Sequence, residues 1–163
     1  MNSTATSLLA SSAALEDRIL REGYGSEAWH GPDLKAAVTN IATDLAFWRP
    51  AEGRHNIAEI AVHHAFYIRA VRGRLLGTPP DKFILEGEDW FPLSTGSLAW
   101  AEILQLLESE QRKLVETVSR IGDGRATSPL SEAERLDLVL GITCHAVYHA
   151  GQIQLIKVLK SST

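Results

Sequence analysis

The sequence predicts an all-α protein, a bundle of four helices with an additional helix at the N-terminus. Three observations carry this. Apolar residues recur at helical spacing through almost the whole chain, and no two runs alternate in the manner of paired strands. The connections between helical segments are long and resemble crossovers more than tight hairpins. The clearest periodicity lies near the C-terminus. There Leu138, Ile142, His145, His149, Gln152, Ile156 and Leu159 step by 4, 3, 4, 3, 4, 3, the rhythm of an inward-facing seam.

Residues 5–21 form a first amphipathic helix, ended by Gly23, Tyr24 and Gly25. A second starts around Pro32, Asp33 and Leu34, with proline near its first turn, and stops before Arg49-Pro50. The third runs from Asn56 to Leu76. Asn56 is an N-cap candidate with Glu59 three residues on, and Gly77 is the stop signal. Residues 77–96 hold three of the six prolines and make a long connection. A fourth helix spans 97–121, a Gly- and Ser-containing turn follows, and the fifth helix covers 131–160.

At 163 residues the chain reads as one domain, 1–163, long enough to bury ~70% of its unfolded surface. The net charge of -4 and the lack of a Lys/Arg cluster argue against nucleic acid as a partner. The single cysteine, Cys144, excludes an internal disulfide and a cysteine-based metal cage. The N-terminus lacks a basic segment ahead of its apolar residues, and no window approaches a membrane span. A cytoplasmic protein, with no membrane partner, is the expectation.

His145 and His149 lie four residues apart and project from one helical face, so they could hold one metal ion between them. Buried imidazoles need partners, because an unsatisfied buried polar group costs about 1–3 kcal/mol. A metal ion answers that need, and so does a hydrogen-bond network. A third ligand belongs on a facing helix, where His63 and His64 are the clustered histidines. Periodicity favours His64, which continues the stripe Ile57, Ile60, Ile68, Val71, Leu75, whereas His63 lies about 100° round the wheel.

HNIAEIAVHHAFY followed by GITCHAVYHAGQIQLIK resembles the DinB-like (DinB/YfiT) superfamily of metal-binding helical bundles. The AWHGPDL entry to the second helix, the GEDWF element and the helix order extend the likeness over nearly the whole chain. The resemblance implies a DinB/YfiT-like four-helix bundle with an additional N-terminal helix. It also implies a ligand set of His63, His145 and His149, because the family places a histidine four residues after the acidic residue, here Glu59. In such proteins three histidines bind one divalent ion, commonly zinc or nickel, and leave positions open to water. Characterised members include transferases that use low-molecular-weight thiols. By analogy this chain is a metal-dependent enzyme activating a thiol or water against a small electrophilic substrate, or else a non-catalytic metal-binding or stress-response protein. A homodimer is the expected assembly. Because imidazole ligands must be neutral, the ion should leave as pH falls below about 6.

Further residues surround this constellation. Glu59 reads equally as an imidazole acceptor or as the third residue of a capping box. Cys144 lies off the ligand face and reads as a small core thiol, not a nucleophile. Gln152 shares the inward seam and could hydrogen-bond a ligand. Trp29, Trp90 and Trp100, with Phe83 and Phe91, are cap or pocket candidates, and the loop around Trp90 is the expected lid. His30 and His55 sit at helix boundaries and read as surface residues. Arg69, Arg72 and Arg74 read as a solvated basic strip, with Arg74 a candidate for an anionic cofactor should it turn inward.

Overall fold

The structure, a computed structural model, describes residues 14–25 and 28–162. Helix α1 occupies residues 14–23, and the part of the expected first helix over 5–13 lies outside the described residues. The following helices are α2 (Leu34–Val38), α3 (Thr43–Phe47), α4 (Ile57–Leu76), α5 (Trp100–Gly122) and α6 (Glu132–Ser161). Among the described residues there is no strand. Among the described residues no helix is long and apolar enough to cross a membrane.

The second expected helix is two. Thr39 leaves helical geometry and its hydroxyl turns back onto the carbonyl of Lys35, at 2.7 Å. Asn40 then takes a left-handed conformation, φ 58°, which short polar side chains tolerate better than most. The long helices follow the expected boundaries. Asn56 accepts from the Glu59 N–H while the Glu59 carboxylate accepts from the Asn56 N–H, a complete capping box at the start of α4. Gly77 ends α4 at φ 66°, and a Cβ there would meet Pro129 Cγ at 2.6 Å. Ser131 and Glu134 make the same reciprocal cap for α6.

Helix α4 is the central element, packed against both α5 and α6. Residues 57–65 are all buried, so the apolar stripe and its flank are equally inside. Arg72 is buried with them, which corrects its reading as part of a solvated strip. Its guanidinium binds Glu110 of α5 at 2.8 Å and Asp81 at 2.6 Å. Arg69 lies over the rings of Phe66 and Phe83, and Arg74 is exposed. The seam of α6 faces inward as far as Ile156, but Leu159 is 43% exposed where the helix runs past α4.

A candidate metal centre between α4 and α6

Helices α4 and α6 run antiparallel here, so His63 of one meets His145 and His149 of the other. His63 Nε2 lies 3.1 Å from His145 Nε2, and His149 Nε2 lies 2.9 Å from the same atom. The three imidazoles offer ligand atoms that all fall within 4.8 Å of one another.

The other ring nitrogens decide where the protons sit. His63 Nδ1 faces the carbonyl oxygen of Asp89 at 2.8 Å, and a carbonyl only accepts, so Nδ1 carries the proton. Asp89 stands at φ 65°, a sparsely populated conformation for a residue with a Cβ, and its carbonyl meets the ring from there. His149 Nδ1 faces Gln152 Oε1 at 2.6 Å, while the Gln152 amide nitrogen donates to the Tyr148 hydroxyl at 3.1 Å. His149 is therefore also protonated on Nδ1. Two Nε2 lone pairs converge on His145 Nε2.

His145 Nδ1 meets His64 Nδ1 at 2.9 Å. If His145 gives its proton to that contact, its own Nε2 adds a third lone pair to the cluster. If it keeps the proton on Nε2, one N–H must serve two acceptors. Protonation does not relieve the crowding near neutrality. Burial, with His149 and His63 alongside, holds the His145 pKa at about 4. Burial likewise takes His149 to about 4 against the opposing hydrogen bond that its Nδ1–H donates to Gln152, and pushes His63 and His64 down as well. Three neutral nitrogens aimed at one point fit a divalent cation, and separations of about 3 Å suit nitrogens about 2.0–2.1 Å from one ion. The donor set is three imidazoles positioned to hold a metal.

The surroundings come from the long loop after α4. Trp90 lies flat between two imidazoles, 3.8 Å from the His63 ring and 3.5 Å from the His55 ring. The loop is tied down by Glu59, which accepts the Leu93 N–H at 2.9 Å and binds Arg49 through both oxygens. Burial would raise the Glu59 pKa, but the hydrogen bonds from Arg49, Leu93 and His55 outweigh it and hold the carboxyl below its ordinary value. Glu59 thus serves the helix start and the loop, and touches no metal-facing imidazole.

Beside the cluster, toward the N-terminus of α4, lies a cavity of about 400 Å³. Ile60, Leu155 and Ile156 give it an apolar wall, Arg54 a cationic one, and Trp90 and Gln152 join it to the imidazoles. A larger cavity of about 630 Å³, between Lys35 and Glu108, shares no lining residue with the cluster. Cys144 is exposed, not a core thiol, and points off the ligand face. Trp29 is 86% exposed and Trp100 is a core residue bonded to the Ile41 carbonyl, so of the three candidates among the four tryptophans Trp90 is the one that reaches the site. His55 is exposed, as expected, yet stacked on that ring, a role that boundary position alone did not suggest. The Asp89 carbonyl and the His64 contact were likewise missed, and only the acidic, aromatic EGEDW run hinted at the former.

No curated protein and no solved structure matches the chain. The sequence model of the DinB superfamily matches residues 27–153, which include the entire imidazole cluster, its Trp90 cover and the greater part of the bundle. The chain belongs to the DinB superfamily.

Proposed function

We propose that the protein is a metal-dependent enzyme acting on a small electrophilic molecule. His63, His145 and His149 hold one divalent ion, zinc or nickel, and a low-molecular-weight thiol or water is the nucleophile. The convergence of three neutral Nε2 atoms supports this reading best. An ion held by three imidazoles keeps coordination positions open and, as a Lewis acid, brings water or a thiol into its reactive ionised form near neutrality. The chain's own residues bind and orient. The Asp89 carbonyl and Gln152 fix two imidazole tautomers, and Trp90 shields the His63 ring from water. The adjoining cavity offers an apolar wall for the body of a small substrate, with Arg54 for an anionic group. Cys144 faces away, so the thiol comes from solution, as the reducing cytoplasm allows. A purely structural metal site would have no use for such a cavity, which instead suits a protein that takes up a small molecule beside the ion.

Elemental analysis of protein purified without a polyhistidine tag tests the site, with the His145→Ala, His149→Ala double variant alongside. About one zinc or nickel per chain is expected in the wild type and none in the variant. No metal after incubation with excess zinc or nickel would reduce the histidines to core packing. Consumption of a small electrophile should then depend on added thiol and vanish in His149→Ala. A rate indifferent to every thiol would remove the transferase reading and leave hydrolysis.

A further inference from the structure

Of the residues that line the cavity of about 400 Å³, His55 is the one whose side chain exchanges a proton near neutrality. Arg54 keeps its protons at every working pH, and Gln152 is committed to His149 and Tyr148. The His55 ring is held on two sides. Its face lies 3.5 Å from Trp90 at an interplanar angle of 8°, and its Nδ1 meets Glu59 Oε2 at 3.1 Å. The same carboxylate accepts from Arg49 and from the Asn56 and Leu93 N–H groups, and hydrogen bonds hold it ionised, so it has no proton to give. Nδ1 therefore carries the proton, and Nε2 is the nitrogen left to the cavity. Among the described residues no hydrogen bond of the chain takes it up. The other imidazoles are committed elsewhere: His63, His145 and His149 converge on one point, and His64 faces His145. Trp90 separates His55 from His63 by the thickness of one ring, so a small molecule beside the cluster has His55 within reach of its far end.

We propose that His55 is the general acid of this cavity and that the substrate is an electrophile which expels oxygen, an epoxide being the simplest. The proposal rests on the catalytic reading above. A halide leaves as a stable anion and gains nothing from an acid, whereas an alkoxide needs a proton as its bond breaks. The electron pair of the nucleophile forms the new bond to an epoxide carbon. The C–O pair passes to oxygen, and that oxygen takes the proton from Nε2. His55, open to solvent, regains a proton there, and solvent receives the one that the nucleophile lost. A thiol and an epoxide thus give a hydroxy thioether, and water and an epoxide give a diol, with nothing oxidised or reduced. Glu59 steadies the imidazolium through Nδ1, and Trp90 fixes the plane of the ring. Ile60, Leu155 and Ile156 suit an apolar substituent on the epoxide. The charged and titratable groups around the ring are Glu59 and Arg49 behind Nδ1, Arg54 next in the chain, and His63 and His149 beyond Trp90.

Styrene oxide and benzyl chloride carry the same phenyl body and differ in the atom that leaves. Zinc-loaded wild type, supplied with cysteine or glutathione as thiol, should consume both. His55→Phe keeps a ring against Trp90 and His55→Gln keeps an amide N–H for Glu59, but neither has a proton to transfer. Each variant should lose about 10²–10⁴-fold on styrene oxide and stay within about threefold of wild type on benzyl chloride. The wild-type rate on styrene oxide should fall with rising pH over the range in which imidazole ¹⁵N spectra show Nε2 losing its proton. That limb should be missing for benzyl chloride. Metal-free protein supplies a readout without turnover, since its neutral His55 should be protonated on Nδ1 in the same spectra. Equal losses on the two electrophiles, an unchanged rate on styrene oxide, or a neutral ring protonated on Nε2 would each overturn the role of His55 and leave the catalytic reading standing. A metal-loaded wild type that consumes neither electrophile overturns both.

Discussion

The contact between His64 and His145 makes a demand that a substitution can isolate. His145 can present an Nε2 lone pair to an ion only as the Nδ1–H tautomer. The acceptor facing that proton is His64 Nδ1, 2.9 Å away, which obliges His64 to carry its own proton on Nε2. His64→Leu keeps the bulk of a side chain that is 1% exposed but removes the acceptor. The His145 N–H is then stranded, or the ring reverts to the tautomer that cannot bind. Loss of such an orienting partner typically costs 10–100-fold in metal affinity, about 1.4–2.8 kcal/mol. His64→Asn places an amide oxygen near the position of Nδ1 and should restore most of that loss. Competition of zinc or nickel against a chromogenic chelator at neutral pH reads the affinity. Imidazole ¹⁵N spectra of the metal-loaded protein should show His145 protonated on Nδ1. If His64→Leu binds within about threefold of the wild type, or if His64→Asn is as weak as His64→Leu, the positioning role is wrong. A wild type that binds no metal would sink the triad itself, a separate failure.

Four further outcomes follow from the packing and the charges. Arg72→Met should destabilise the fold by about 3–5 kcal/mol in urea titration, since it leaves the 5%-exposed Glu110 with only the more exposed Lys113 as cation; a change under about 1 kcal/mol would show the pair is not needed. Asn56→Ala removes an N-cap and the bond to the Leu93 carbonyl at 3.0 Å, and should lower stability by about 2 kcal/mol in the same titration, with earlier proteolysis of the 77–99 loop. The metal-free protein should lose stability as pH falls from about 6.5 toward 4, because the unfolded chain then binds protons that the buried imidazoles, with His145 and His149 near 4, refuse. A melting temperature flat between pH 6.5 and 4.5 would contradict the low imidazole pKa values. The same burial moves the acid limit of metal binding below the pH 6 expected for ordinary imidazoles, so metal should remain at pH 5.

The parts of the fold legible in the sequence are those set by local chemistry. Asn56 with Glu59, and Gly77, satisfy backbone groups within a few residues, so the ends of α4 could be read directly, whereas the equally local Ser131–Glu134 cap of α6 was seen only in the structure. The break between α2 and α3 could not, because Thr39 and Asn40 differ from ordinary helix residues only in how their short side chains meet the backbone. Arg72 was misread for another reason. Its partners Asp81 and Glu110 lie 9 and 38 residues away, and nothing in a local charge pattern reveals a long-range ion pair.

The histidine dipeptide shows where periodicity stops being informative. A hydrophobic stripe discriminates between neighbours only on a helix with a wet side, and α4 is buried all round from Ile57 to Ala65. Both imidazoles are therefore inside, and both meet His145, on its two different nitrogens: His63 at Nε2, His64 at Nδ1. What separates their roles is the far nitrogen. His63 has a carbonyl behind it, which forces its lone pair toward the cluster, whereas the nitrogen that His64 turns to His145 is the one that can receive a proton from it. The adjacent histidines thus read as ligand and ligand-orienter, a division that follows from proton placement and that no helical wheel contains.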